Sequence, residues 1–383
     1  MMGNWKTCTI GDLGRVVGGA TPSTKKAENY DGGTIAWITP KDLAGFSGRF
    51  ISRGERNITE QGLKSCSTQL MPAHTVLFSS RAPIGYIAIA EQEVCTNQGF
   101  KSVVPDEKTD YMFLYYLLKY NKEKIENLGS GTTFKEVSGS TMRGIEVRVP
   151  ETIEEQQRIA SVLSALDDKI EKNTEVNENL EQQAQAYFQE LFIDNADPAW
   201  TLGTVSDLGA VVGGSTPSKA KPEYYTEDGI AWITPKDLSI NKAKFVSHGE
   251  NDITKLGLKN SSASIMPEGT VLFSSRAPIG YIAIASGEVT TNQGFKSVVP
   301  KPEIGTAYVY YFLKHNLPII EGMASGSTFK EVSGSTMKNV PAVIPDTETL
   351  ACFNGFCAPI FAQQRILEEQ NQSLTALRDS LLP

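Results

Sequence analysis

The chain contains nearly the same sequence twice. Residues 5–150 and 200–345 align without a gap at an offset of about 195 residues. The identical blocks lie in the same order in both copies: VLFSSRAPIGYIAIA (76–90 and 271–285), TNQGFKSVVP (96–105 and 291–300) and FKEVSGSTM (134–142 and 329–337). Because a repeat of this length is a domain, far longer than a solenoid unit of ~20–50 residues, the sequence predicts two similar globular domains. Whatever one copy binds, the chain is built to bind twice.

Length and composition agree with two ordinary globular domains. The chain has 383 residues, of which 40% are hydrophobic and 21% charged. No apolar run approaches the ~18–20 residues of a membrane helix. The first residues do not resemble a secretory signal, so we expect a cytoplasmic protein and no membrane partner.

The formal net charge of −8 is unevenly distributed. Residues 1–150 have slightly more basic than acidic side chains, whereas the excess of acidic side chains lies in 151–196 and 346–383. Because net charge governs solubility rather than a local surface, a basic face on each repeat can still bind phosphates.

Each repeat is followed by a helical pattern with one apolar stripe. Apolar residues, with a few amides among them, recur at alternating spacings of four and three residues, which is typical of a coiled-coil seam. We predict that the two helices pair through their stripes, with an interface that includes Ile159, Leu163, Leu166, Ile170, Leu180, Leu191, Phe353, Ile360, Leu367 and Leu374. Since the second domain returns the chain between the two helices, an antiparallel pair is expected.

The predicted fold class is α+β. We expect two similar mixed α/β domains, related by pseudo-two-fold symmetry and separated by an antiparallel two-helix coiled coil. The predicted segments are domain 1 (1–150), the first helix (151–196), domain 2 (197–345) and the second helix (346–383). Within domain 1, residues 111–128 are predicted as one helix and 129–133 and 137–141 as polar loops.

Signatures of catalysis are missing from the sequence. There is no Walker A loop, dinucleotide fingerprint, nucleophile elbow or zinc-ligand spacing. No histidine or cysteine recurs at equivalent positions of the two copies, so neither a base for a serine nucleophile nor a metal site is duplicated. Two functions stay open on these observations: a bivalent protein–protein scaffold, and an enzyme built on paired Lys, Arg, Asp or Glu residues.

Several duplicated motifs resemble a known family. They are GG-x-TPS at 18–23 and 213–218, AWITPKDL at 36–43 and 231–238, and the VLFSSRAPIG and NQGFK blocks. The segment 150–159 (PETIEEQQRI) is similar to that family's helix entry, whereas 345–350 lacks its Glu-Gln pair. Over essentially its whole length the chain resembles the DNA specificity subunit of a type I restriction–modification system.

The resemblance implies a non-catalytic subunit that recognises DNA. Each domain would contact one half of a bipartite double-stranded site, and the helices would set the spacing and dock two methyltransferase subunits. A restriction or translocase subunit is a further partner that the resemblance allows. S-adenosylmethionine, ATP and Mg²⁺ would belong to the partners, so no cofactor is expected on this chain. The similarity of the two copies predicts an almost palindromic site.

Candidate DNA contacts are side chains that suit phosphates or base edges. Those repeated between the copies are Thr21/Thr216, Ser23/Ser218, Lys41/Lys236, Arg81/Arg276, Asn97/Asn292, Gln98/Gln293, Lys101/Lys296 and Lys135/Lys330. Those in a region where the copies differ are Arg49/Lys244 and Arg53/His248. For the first group the alternative is a role in the common scaffold, including turn formation by Asn97 and capping by Thr21 and Ser23.

Overall fold

A computed structural model describes residues 4–81, 83–131, 135–326 and 330–382. The chain divides into two compact units. Unit 1 comprises residues 1–172 and 371–383, and unit 2 comprises residues 173–370. Each unit therefore contains one repeat and one stretch of each long helix. The four-segment division predicted from the sequence stays a prediction.

Unit 1 is built on a five-stranded sheet with the order β2-β8-β5-β6-β4, accompanied by the strand pairs β3-β7 and β1-β9. Its strands are β1 (Trp5–Thr9), β2 (Gly14–Gly18), β3 (Ala36–Ile38), β4 (Phe50–Ile51), β5 (Val76–Ser80), β6 (Ile84–Ala90), β7 (Val94–Thr96), β8 (Lys101–Pro105) and β9 (Glu146–Pro150). The short strand β4 lies at the sheet edge, parallel to β6.

The helices of unit 1 include one break that the sequence did not predict. Its α-helices are α1 (Glu60–Lys64), α2 (Tyr111–Tyr120), α3 (Lys122–Asn127), α4 (Gly139–Arg143), the first stretch of α5 (Ile153–Gln189) and the last stretch of α12 (Thr347–Ser380). The predicted helix 111–128 is interrupted at Asn121, whose amide donates to the Leu117 carbonyl at 2.8 Å. The loop predicted at 137–141 is wrong, because Ser138 caps α4 by accepting from the Thr141 amide. The loop predicted at 129–133 lies partly outside the described residues.

Unit 2 repeats the architecture, with a five-stranded sheet β11-β19-β16-β17-β14, a four-stranded sheet β12-β15-β13-β18 and the pair β10-β20. Its strands are β10 (Thr201–Thr204), β11 (Gly209–Gly213), β12 (Tyr225–Thr226), β13 (Ile230–Ile233), β14 (Phe245–Val246), β15 (Asn251–Ile253), β16 (Val271–Ser275), β17 (Ile279–Ala285), β18 (Thr290–Thr291), β19 (Lys296–Pro300) and β20 (Pro341–Ile344). Its α-helices are the second stretch of α5, α6 (Val205–Leu208), α7 (Pro235–Ile240), α8 (Lys255–Lys259), α9 (Thr306–His315), α10 (Leu317–Gly322), α11 (Gly334–Lys338) and the first stretch of α12 (Thr347–Ser380).

The two long helices pair antiparallel within each unit, as predicted. In unit 1, Asn371 donates to the Ile170 carbonyl at 3.4 Å and Arg378 pairs with Asp167 at 2.6 Å. In unit 2, the Asn173 amide lies 3.4 Å from Gln370, and the Gln364 amide donates to the Asn177 carbonyl at 3.2 Å. Along these contacts the residue numbers of α5 rise while those of α12 fall, so the two helices run antiparallel. All ten predicted apolar stripe residues are buried or half-buried.

The core of each unit joins its sheet to its helices. In unit 1 the buried faces of β5, β6 and α2 pack with Ala160 and Leu163 of α5. In unit 2 the equivalent core contains Phe188 of α5 and Phe353 of α12, whose rings are 5.8 Å apart. The α+β fold class is confirmed, with a similar mixed unit built from each repeat.

Candidate nucleic-acid interface

In unit 1, the identical sequence blocks converge on one surface. Backbone hydrogen bonds join the end of β5 to the loop after β7 (Ser80 N to Gly99 O, 2.7 Å) and the start of the α4 region to β5 (Val137 N to Ser80 O, 2.9 Å). A methyl group added at Gly19 would come within 2.2 Å of the Asn97 carbonyl oxygen, so only glycine lets the β2 loop approach this closely.

We call this surface the loop cluster. It comprises residues 18–23, 39–41, 80–81, 97–101 and 135–143 in unit 1, and 213–218, 234–236, 275–276, 292–296 and 330–338 in unit 2. The two copies differ at only two positions, Ala20/Ser215 and Arg143/Lys338. Each copy contains five basic side chains and one acidic side chain, so both are locally basic although the whole chain is acidic.

One glutamate in each loop cluster holds two of the predicted cations. Glu136 lies 3.8 Å from Arg81 and 3.2 Å from Lys101. In unit 2, Glu331 lies 3.5 Å from Arg276 and 3.4 Å from Lys296. About a third of each arginine side chain is exposed, so the guanidinium groups are held and still accessible. The sequence analysis missed Glu136 and Glu331, although both lie within the identical FKEVSGSTM blocks.

The polar residues of the loop cluster serve the scaffold at least in part. Asn97 accepts from the Gly99 amide at 2.8 Å, and Asn292 does the same with Gly294, which is the turn-forming role considered above. The Thr21 hydroxyl donates to Gln98, and Thr216 donates to Gln293. Ser23 and Ser218 are exposed, as are Lys135 and Lys330.

Lys41 and Lys236 each form an exposed ion pair with a glutamate. Lys41 lies 2.7 Å from Glu55, and Lys236 lies 2.5 Å from Glu250. Hydrogen bonding and attraction to these glutamates raise the pKa of both lysines. Because both partners are exposed, the pairs can open to a phosphate at small cost.

The predicted pair Arg53/His248 occupies exposed positions near these ion pairs. Arg53 is exposed, and the His248 ring nitrogen Nδ1 lies 3.6 Å from Asp252. Both positions follow an edge strand, β4 or β14. Their placement is compatible with a DNA contact and leaves the prediction standing.

Arg49 and Lys244 are placed differently from the prediction. Their side chains are only 7% exposed and each forms ion pairs with a long helix, so neither presents its charge to solvent. Arg49 binds Asp168, and its Nε lies 2.9 Å from Glu171. Although burial acts to lower it, pairing with these carboxylates raises the pKa of Arg49. We correct their assignment as DNA contacts: both residues anchor a sheet edge to a helix.

Other site chemistries find no support in the part of the chain that is described. Those residues contain no cluster of three or more His, Cys, Asp or Glu side chains that could hold a metal ion. None of the helices within the described ranges combines the length and apolar character that crossing a membrane requires. The loop cluster offers cations, hydroxyls and amides on a shared surface, which suits phosphates and base edges.

A family model described as "Type I restriction modification DNA specificity domain" matches residues 2–182 and 199–375. The chain belongs to this family. The match covers both repeats, as the internal duplication requires. The protein is therefore a DNA-recognition subunit, and the family favours this function over a bivalent protein–protein scaffold.

Two named relatives agree with this membership, and one solved structure shares the fold. The type I restriction enzyme MjaIX specificity subunit of Methanocaldococcus jannaschii is 32% identical, with 99% of this chain and 92% of the relative covered. The HindI specificity subunit of Haemophilus influenzae is 24% identical over 71% and 75%. The crystal structure of a type I S subunit from M. genitalium shares the fold, with a TM-score of 0.59 and 18% identity over 100% and 96%.

Proposed function

We propose that each loop cluster recognises one half of a bipartite double-stranded DNA site. The observation that carries the proposal is the duplication of one surface with five basic side chains, one acidic side chain and only two sequence differences. Arg81 and Arg276 suit guanine edges, since an arginine can donate two hydrogen bonds to O6 and N7. The exposed lysines suit phosphates, which position the protein without specifying sequence.

The near identity of the two loop clusters further supports half-sites of nearly the same sequence. In a site bound by two similar domains, the symmetry of the DNA follows that of the protein. We propose an interrupted inverted repeat whose gap is set by the two long helices. The exposed apolar side chains on those helices, such as Val162 (52% exposed) and Leu377 (49%), are candidate docking points for two methyltransferase subunits.

The remaining chemistry would belong to the partners. We propose that methyltransferase subunits bind S-adenosylmethionine, and that a restriction or translocase subunit, where present, binds ATP and Mg²⁺. This chain would then act in the cytoplasm as the non-catalytic subunit that chooses the DNA.

Selection from a random DNA pool tests the proposal. The full chain, alone and after co-purification with the methyltransferase subunit, is incubated with random-sequence duplexes, and the retained DNA is sequenced. Two short defined blocks separated by a constant unspecified gap are expected. Retained DNA with no enriched sequence would overturn the proposal.

Matched arginine variants then test whether one cluster reads one half-site. Arg81→Ala and Arg276→Ala should each relax one of the two blocks and leave the other defined, with a loss of about 1–3 kcal/mol at the affected base. Lys64→Ala, which removes a 77% exposed cation outside the loop cluster, is the control and should leave both blocks unchanged. Relaxation of both blocks by a single arginine variant would contradict one cluster per half-site.

A further inference from the structure

In unit 2, a half-buried glutamate of α12 holds the backbone that leads into the edge strand β14. Glu368 accepts from the Lys244 amide at 2.9 Å and from the Phe245 amide at 3.0 Å. Its carboxylate also accepts from the side chain of Asn177 on α5, at 3.3 Å. One carboxylate therefore joins the sheet edge to both long helices.

The Lys244 side chain extends this junction into the space between sheet and helices. Its ammonium lies 2.7 Å from Glu181 of α5 and donates to Gln364 of α12 at 2.9 Å and to the Tyr311 hydroxyl at 3.1 Å. Glu181 also binds Lys314, at 2.7 Å. All three hydrogen-bonding positions of the ammonium are satisfied by residues on three different helices.

Aromatic rings enclose the same ammonium. Its nitrogen lies 3.8 Å from the centre of the Phe361 ring, 4.6 Å from Tyr310 and 5.0 Å from Tyr311. Burial lowers the pKa of Lys244 to about 8, against the attraction of Glu181. Burial acts to raise the pKa of Glu181, but its two lysine partners lower it to about 2. Burial therefore dominates the pKa shift of Lys244, which has one carboxylate partner, whereas ion pairing dominates that of Glu181, which has two cationic partners.

Unit 1 has a cation at the equivalent strand position but a different set of acids. Arg49 directly precedes β4, as Lys244 precedes β14, and it binds Asp168 and Glu171 of α5. A second buried bridge runs from Tyr116 of α2 to Asp167 of α5 at 2.7 Å, and from Asp167 to Arg378 of α12 at 2.6 Å. Both units thus fix the same sheet edge to the helices through buried charge.

A buried ion pair restricts geometry, because each charge must stay within reach of its partner. A buried charge without its partner is costly, so the sheet edge tolerates only the placement that keeps the pair. A sheet edge held only by apolar contacts could shift along the helix at lower cost. The strands that end in the loop cluster belong to the same sheet, so the orientation of the cluster relative to the helices follows that of the anchored edge.

We propose that Lys244 and Arg49 are positioning residues that fix the direction in which each loop cluster faces, and thereby the gap between half-sites that the protein accepts. The proposal rests on the proposed function, since it concerns how the two half-sites are spaced. One additional base pair moves a half-site by about 3.4 Å along the DNA axis and rotates it by about 35°. A rigid anchor makes the protein sensitive to that change.

Duplexes with the selected half-sites and gaps altered by one to three base pairs test this proposal. The full wild-type chain should lose at least about tenfold in affinity for each base pair of change. Lys244→Met should bind the best gap within about threefold of wild type but discriminate between gaps by less than about threefold. Lys244→Arg should restore discrimination. Lys242→Met is the matched control, because Lys242 is an exposed cation two residues away.

Glu181→Gln provides a second variant that keeps the shape of the side chain. Glu181 lies on α5 and holds Lys244, so its amide variant should broaden gap tolerance in the same way as Lys244→Met. Affinity for a duplex with a single half-site should stay unchanged in both variants. If pool selection finds no half-sites, the proposed function fails before this test.

Two results would overturn the positioning role. Folded Lys244→Met or Glu181→Gln protein that discriminates between gaps as sharply as wild type would show that the anchor does not set the spacing. Equal weakening of Lys244→Met on every duplex, including a single half-site, would make Lys244 a DNA contact. Circular dichroism of each variant establishes that it is folded, and Glu181→Gln decides the question if Lys244→Met does not fold.

Discussion

In unit 1 the cation before the edge strand is Arg49, which pairs with Asp168 and Glu171; in unit 2 it is Lys244, which pairs with Glu181. The loop clusters of the same two units differ at only two positions. Each buried cation needs only to pair with acids of the same protein, so different sets of charges can hold the sheet edge equally well. The loops must match something outside the protein, so their near identity points to a shared ligand.

The largest expected effect comes from removing Glu181. Glu181→Leu leaves Lys244 buried without its carboxylate and should destabilise unit 2 by about 3–5 kcal/mol. The matched variant Glu171→Leu leaves Arg49 paired with Asp168 and should cost only about 1 kcal/mol. Urea unfolding, with hydrogen exchange in peptides from each unit as the readout, measures the loss of stability in both variants.

A second substitution sharpens this result. Adding Lys244→Met to Glu181→Leu removes both charges and should recover most of the lost stability. Equal costs for Glu181→Leu and Glu171→Leu would show that the two anchors do not differ in the way described.

The anchor of unit 2 should also depend on pH. The pKa of Glu181 is lowered from 4.5 to about 2, so its stabilising contribution is full above pH 4.5 and disappears as the pH falls toward 2. The shift corresponds to about 3 kcal/mol. The difference in unfolding free energy between wild type and Glu181→Gln, measured in urea from pH 6 to pH 3, should therefore shrink on acidification. A difference that stays constant over this range would be inconsistent with the ion pair.

The loop clusters should respond alike to loss of their single acid. Glu136→Gln and Glu331→Gln each remove one negative charge beside an arginine and a lysine, so non-specific DNA affinity should rise by about threefold to tenfold. The ratio of specific to non-specific binding should fall. Fluorescence anisotropy with selected and scrambled duplexes measures both, and effects that differ by more than about threefold between the two variants would break the equivalence of the clusters.

The smallest effect is expected for the exposed ion pairs. Lys41→Ala and Lys236→Ala should each change stability by less than about 0.5 kcal/mol, because both partners of each pair are exposed. Thermal unfolding checks this. A larger loss of stability in one of the two variants would reveal a structural role for that lysine, which its exposed position does not suggest.

Much of the fold could be predicted from the sequence because the repeat and the apolar stripes are long, regular patterns. The single helix predicted at 111–128 was wrong, since nothing in its apolar pattern marks the bond from Asn121 to the Leu117 carbonyl. The α4 helix was missed because a segment of small polar residues is typical of a loop until its cap, Ser138, is recognised.

The candidate residues in the identical blocks lie together in the loop cluster, and their role as DNA contacts stays a prediction. Where the copies differ, the assignment of Arg49 and Lys244 was wrong. Arg49 and Lys244, which occupy equivalent positions of the two copies, were interpreted as cations available to DNA, yet both are buried. Strand alternation held the missing signal: Arg49 shares a face with buried Ile51, and Lys244 with buried Val246. The helix acids that receive them are distant in sequence, so sequence patterns did not reveal the ion pairs.

The most direct test of the central claim, that two nearly identical surfaces recognise DNA, is the sequence of the two half-sites. Methylated bases are mapped across the host genome, with and without the gene for this chain. An interrupted site whose halves are inverted copies of each other, or nearly so, is the predicted result. Two unrelated half-sites, or a methylation pattern unchanged by loss of the gene, would contradict it.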